Sequence, residues 1–154
     1  GAAATDFEAL GVQSFYVLEG TAAEWREGED VRTVRGRIGL SYYRGYELEL
    51  IEPAVGTDFY RAPPERTVDL HHLGVRVEDV DESSRRLSAS GFPLLVRGRL
   101  EIGPLTVDFA YVDALRQSGL LVEFITWTIF GRQFTPHPDL WRRETLEKLI
   151  RRKA

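Results

Sequence analysis

The chain has no cysteine and no methionine among its 154 residues. Without thiols, disulfide staples, thiolate catalysis and cysteine-ligated zinc are excluded. That fits a cytoplasmic protein, although a secreted one can also lack cysteine. Lysine is scarce, confined to Lys148 and Lys153, so the positive charge is almost all arginine. No apolar run approaches the ~20 residues needed to span a bilayer, and no signal-peptide pattern opens the chain, so a membrane partner is not expected. A formal net charge of -4 speaks against nucleic acid as the main partner. The opening Gly1-Ala2-Ala3-Ala4 carries no initiator residue, which leaves room for missing native sequence before it.

What is present is ordinary for a soluble globular protein: 43% hydrophobic and 29% charged residues. The length suits a single domain over 1–154, built of two small modules around one core. Residues 6–10 read as the end of a helix stopped by Gly11, and 14–18 as a strand. Residues 19–30 read as a polar connection. Residues 31–43 read as one long strand bent near Gly36 or Gly39, followed by a turn at Arg44-Gly45 and a strand over 46–51. The stretch 54–69 is an irregular linker punctuated by Gly56 and Pro63-Pro64. Beyond it come a strand at 70–77, a helix at 79–90 capped at Asp81, and strands at 93–96, 105–112 and 120–125. Turns are expected at Gly98, Gly103 and 117–119. The helix should turn Val80, Ser84, Leu87 and Ser88 inward. A last helix is expected from Asp139, with Trp141, Leu146, Leu149 and Ile150 on an apolar face. The first half (6–53) thus repeats the second (70–127) without its opening strand, and 128–154 is an extension.

Two strand-like segments end alike. Gly45-Tyr46-Glu47-Leu48-Glu49-Leu50-Ile51 and Gly119-Leu120-Leu121-Val122-Glu123-Phe124-Ile125 each place a glutamate four residues after a glycine and before two large apolar residues. A glutamate inside an apolar strand is costly to bury without a partner. The same anomaly twice suggests a duplicated module whose carboxylates share a cavity. Leu70-His71-His72-Leu73-Gly74-Val75-Arg76-Val77 adds histidine on another strand. Alternation puts His72 with Gly74 and Arg76, and puts His71, Leu73, Val75 and Val77 on the opposite face, toward a helix layer. Histidine with carboxylates on facing strands is a divalent-metal arrangement. The competing arrangement pairs either glutamate with Arg76 or Arg37, and leaves His72 hydrogen-bonded in a polar cavity. Thr106 and Asp108 alternate away from Val107 and Phe109, so they are expected to look into that cavity. Tyr42 and Tyr111 are among the aromatics available as walls for an organic substrate.

The segments Leu70 to Asp81, Phe109-Ala110-Tyr111-Val112-Asp113 and Leu121-Val122-Glu123-Phe124-Ile125 resemble the vicinal oxygen chelate superfamily, and Glu47 to Pro53 echoes the close of its first module. Glyoxalases, methylmalonyl-CoA epimerases, extradiol dioxygenases and bleomycin-resistance proteins belong to that group. The resemblance covers roughly residues 6–127. It implies an α+β fold in which two βαβββ modules form an open, cupped sheet, here with the first opening strand missing and a C-terminal helix added. It also implies metal ligation by Glu49, His72 and Glu123. The fourth ligand of the family has no counterpart. His72 stands 51 positions before Glu123 and 19 before Gly91, and the same offsets from Glu49 and Gly11 fall before Gly1. His137 is a candidate replacement, although Pro-His-Pro also makes a rigid turn.

The activity implied is that of a metal-dependent isomerase, epimerase or lyase acting on a small carbonyl-containing substrate through a chelated enolate. Glu123 and Glu49 are the catalytic carboxylates, and Arg76, Asp108, Tyr42 and Tyr111 are the substrate contacts. The cofactor is a divalent ion: Mg, Mn, Co, Ni or Zn. A dioxygenase is disfavoured because its two-histidine iron triad needs the absent ligand. The alternative is a metal-free protein that sequesters a small molecule. The unpaired sheet edge left by the missing strand makes a homodimer the expected assembly.

Overall fold

The computed structural model describes residues 2–66 and 68–137. In chain order its elements begin with α1 (Ala2–Ala9), β1 (Tyr16–Thr21), β2 (Glu24–Glu27), β3 (Asp30–Val31), β4 (Arg35–Tyr43) and β5 (Tyr46–Ile51). They continue with β6 (His72–Arg76), α2 (Val80–Ala89), β7 (Leu94–Ile102), β8 (Leu105–Val112), α3 (Leu115–Ser118), β9 (Leu121–Ile129) and β10 (Arg132–Gln133). The fold is α+β and its strands are paired mostly antiparallel. Among the described residues two compact units emerge, one from 2–21, 34–66, 68–69 and 136–137, the other from 22–33 and 70–135. Among the described residues no helix is long and apolar enough to cross a membrane.

In the first unit β1, β4 and β5 form a three-stranded antiparallel sheet with β5 at one edge. Arg44 and Gly45, with φ of 50° and 89°, close the β4–β5 hairpin as the sequence indicates. A two-residue loop needs positive φ at both positions to match strand twist, and glycine takes the second without strain. The register pairs Leu40 with Glu49 and Tyr42 with Glu47. Strand alternation therefore gives Glu47, Glu49 and Ile51 one face and Tyr46, Leu48 and Leu50 the other, as expected. No strand precedes α1 among the described residues.

The second unit holds a sheet ordered β10-β9-β8-β7-β2-β3, with β6 pairing parallel to β9. β6 takes residues 121–125 of β9 and β10 takes 128–129, so the two share one side of that strand. The segment read as a polar connection supplies β2 and β3, and β2 pairs with β7. The single bent strand expected over 31–43 is instead β3 and β4, which belong to different sheets. Trp25 explains the difference: it is 2% exposed and lies against Phe109 with ring centroids 5.8 Å apart. Burying one such side chain is worth about 1.5–3 kcal/mol, enough to hold a short polar strand in place.

Gly98 is not a turn but the middle of β7. A Cβ there would stand 2.2 Å from the Phe109 ring, so glycine is the residue that lets this aromatic cross the strand. α2 is capped by Asp79 rather than Asp81, the Asp79 carboxylate accepting from the Glu82 amide at 2.8 Å. Val80 and Ser84 are buried as expected, Leu87 is half-buried and Ser88 is exposed. Leu73 and Val75, expected under a helix, are 55% and 46% exposed. α2 lies mainly across β8 and its neighbours, leaving β6 at the margin of its cover. The helix expected from Asp139, with Trp141, Leu146, Leu149 and Ile150, lies outside the described residues.

Candidate metal centre

One face of the second sheet collects the chemistry. β6 runs parallel to β9 with His72 beside Leu121, Gly74 beside Glu123 and Arg76 beside Ile125. β8 sets Tyr111 opposite Glu123 and Phe109 opposite Ile125. Paired residues share a face, so His72, Gly74, Arg76, Tyr111, Glu123 and Trp127 all point the same way. Two consecutive residues from one strand could not do this, and it is the parallel β6–β9 pair that brings imidazole and carboxylate together.

His72 Nε2 stands 3.5 Å from Glu123 Oε2, with side-chain exposures of 10% and 6%. A carboxylate this deeply buried needs a partner, and among the described residues its ion-pair partner is His72 rather than an arginine. The spacing suits a divalent ion. Two donors on bonds of about 2.1 Å, opened by a tetrahedral angle, lie about 3.4 Å apart. Gly74 leaves the flank of the carboxylate bare, for a Cβ there would reach Glu123 Oε2 at 3.4 Å. Imidazole plus carboxylate is a borderline-hard donor pair that fits Mn, Co, Ni or Zn, and tolerates Mg.

His71 departs from the alternation rule. It precedes β6, so its side chain is not bound to the face opposite His72. Its Nδ1 lies 3.1 Å from Nδ1 of His72. Both rings meet Tyr111 edge-on, with centroids 6.0 and 5.0 Å away. Tyr111 is 1% exposed and serves as the floor beneath the two imidazoles. The doubled histidine is the signal in the sequence, and strand alternation hides half of it.

The remaining candidates separate. Arg76 is exposed and lines a cavity of about 300 Å³ with Glu78, Ile125, Trp127, Gln133 and Phe134. Asp108 is placed on the other face, a correction to the alternation argument. Its carboxylate accepts from Arg97 at 3.0 Å and Arg99 at 2.9 Å. Arg97 also donates to Asp81 on α2 at 2.7 Å, so Asp108 helps fasten that helix. Thr106 shares its side. Val107 and Phe109 face His72, the reverse of the expectation, because Phe109 pairs with Ile125 and not with Thr126.

In the first unit Glu49 is half-buried on the edge strand β5. Arg37, its alternative partner, pairs instead with Glu52 at 3.3 Å. Tyr42 is buried and its hydroxyl donates to the Pro136 carbonyl at 3.1 Å. His137 is exposed.

A family model described as glyoxalase/bleomycin resistance protein/dioxygenase superfamily matches residues 2–111. The match takes in Glu49 and His72 and ends at Tyr111, before Glu123. No curated protein matches the chain.

Proposed function

Because the chain belongs to the glyoxalase/bleomycin resistance protein/dioxygenase superfamily, we propose that it is a divalent-metal-dependent isomerase, epimerase or lyase for a small carbonyl-containing substrate. Glu49, His72 and Glu123 are the group that could hold the ion. The observation that carries this reading is the buried His72–Glu123 pair, 3.5 Å apart beside a glycine. A bound divalent ion supplies Lewis acidity toward a carbonyl oxygen. The chain's own groups do the rest. His72 and Glu123 offer donors fixed by strand pairing, which needs little reorganisation on binding. A carboxylate oxygen, from Glu49 or Glu123, takes the proton from the carbon next to the carbonyl and returns it to the same or a neighbouring carbon. Ile125, Trp127 and Phe134 supply apolar surface and Arg76 a cation for the remainder of the substrate.

The second reading is a metal-free protein that sequesters a small molecule. It is favoured by the missing counterpart of β6 among the described residues of the first unit. Metal analysis of protein purified without chelators separates the two. The enzymatic reading expects about one equivalent of a divalent ion, lost in His72→Ala and strongly reduced in Glu123→Gln. Wild-type protein that stays metal-free after dialysis against Mn, Co, Ni and Zn salts would leave only sequestration.

A further inference from the structure

His72 has two ring nitrogens, and the structure gives each a separate neighbour. Nε2 faces Glu123 Oε2 at 3.5 Å, while Nδ1 lies 3.1 Å from Nδ1 of His71. Two imidazole nitrogens at that distance share one hydrogen, so one ring donates and the other accepts. A metal needs a bare lone pair on its histidine ligand. If Nε2 is that ligand, the His72 hydrogen must sit on Nδ1 and point at His71. His71 must then carry its own hydrogen on Nε2, so that the lone pair of its Nδ1 accepts.

We propose that His71 is a positioning residue for the metal centre, accepting the Nδ1 hydrogen of His72 and so baring His72 Nε2 toward the ion. The proposal rests on the metal-dependent reading given above. A hydrogen-bond acceptor behind a ligating imidazole fixes its tautomer and ring orientation and raises its basicity. That acceptor is commonly a carboxylate or carbonyl, and here it is a neutral ring. The support for His71 is independent of the ion: its ring meets Tyr111 edge-on at 6.0 Å and His72 edge-on at 5.3 Å. Tyr111 therefore holds both rings in a fixed mutual orientation. A neutral acceptor adds no negative charge near Glu123, so the charge of the site stays that of its carboxylates.

Two measurements test it. Calorimetric titration with Zn²⁺ compares the wild type, His71→Phe, His71→Asn and His72→Ala. Phenylalanine keeps a flat ring against Tyr111 but accepts nothing. Asparagine restores an acceptor oxygen close to the position of Nδ1. Loss of such an acceptor weakens metal binding by about 10–100-fold, so His71→Phe should show that loss and His71→Asn should recover most of it. Circular dichroism in chelator should not change. Long-range ¹⁵N–¹H correlation spectra of the zinc-loaded wild type should show His72 protonated at Nδ1 and His71 protonated at Nε2. Wild-type affinity in His71→Phe, or a hydrogen found on His71 Nδ1, overturns the proposal. Were wild-type protein to bind no Zn²⁺, both readings would fall. Binding that His72→Ala abolishes but His71→Phe leaves intact would remove the positioning role alone.

Discussion

At the residue scale, a single glycine decides how one side of the sheet packs. Gly98 gives Phe109 the space its ring occupies, and Phe109 in turn packs on Trp25 and Tyr111, the latter at 5.8 Å. A methyl group at this position has to displace a ring held from three sides. Overpacking of a filled core costs about 1–3 kcal/mol. Gly98→Ala should therefore lower the unfolding free energy by that amount, seen as a lower urea midpoint, with tryptophan fluorescence reporting the rearrangement around Trp25. An unchanged midpoint and spectrum would show that the ring moves freely. The sequence carried no warning here, since a lone glycine between two arginines reads as a turn. Recognising it as a crossing point requires knowing that Phe109 lies opposite. His72 and Glu123 were legible for the contrary reason: a polar residue among apolar ones, repeated in a matched frame, signals itself without a partner being known. His71 escapes the alternation rule because it lies one residue before the strand begins.

Among the elements, α2 shows how a charged network replaces apolar burial. Few of its residues are buried, Val80 and Ser84 being the ones that are, and its N-terminal turn is tied to the sheet by the chain Asp81–Arg97–Asp108. The hydrogen bond from Arg97 holds the Asp81 carboxyl below its usual value of 3.8. A carboxyl whose folded value is depressed stabilises the fold above its unfolded value, and loses that effect as pH falls through the lower, folded one. The Asp81 side chain is 75% exposed, so the contribution is that of a screened pair, about 0.2–1 kcal/mol. Asp81→Asn should cost that much near pH 7, and the gap to wild type should close in acid, as pH falls through the value that Arg97 depresses. Urea titrations at neutral and acid pH check the sign, and a gap that persists in acid would assign the effect to packing. Which aspartate caps the helix was a one-turn ambiguity in the sequence. Asp79 and Asp81 are both suitable, and the ion pair with Arg97, contributed by a distant strand, is what claims Asp81.

For the whole molecule, the order of elements is the feature that composition and spacing conveyed best, and the absence of an opening strand among the described residues of the first unit bears most on function. β-α-β-β-β in residues 70–129 and α-β-β-β before it were readable because each element carries its own period and its own glycine stop. What was not readable was that residues 22–33 leave the first sheet and join the second. That choice is made by Trp25 finding Phe109, a contact between residues 84 positions apart. The metal proposal names Glu49, His72 and Glu123 as donors. A bound ion makes a distinct demand on stability. A ligand bound only by the folded state, at a hundred times its dissociation constant, adds about 2.7 kcal/mol. For a chain of this size that raises the melting temperature by about 5–10 °C. Mn²⁺ should produce such a shift in the wild type, and EDTA should reverse it. Glu49→Gln should shrink the shift without altering the melting temperature in EDTA, because the substitution removes a ligand while keeping the volume and shape of the side chain. If Glu49→Gln keeps the full shift while His72→Ala abolishes it, the ion is held without Glu49. Glu49 would then serve as the proton acceptor rather than as a ligand.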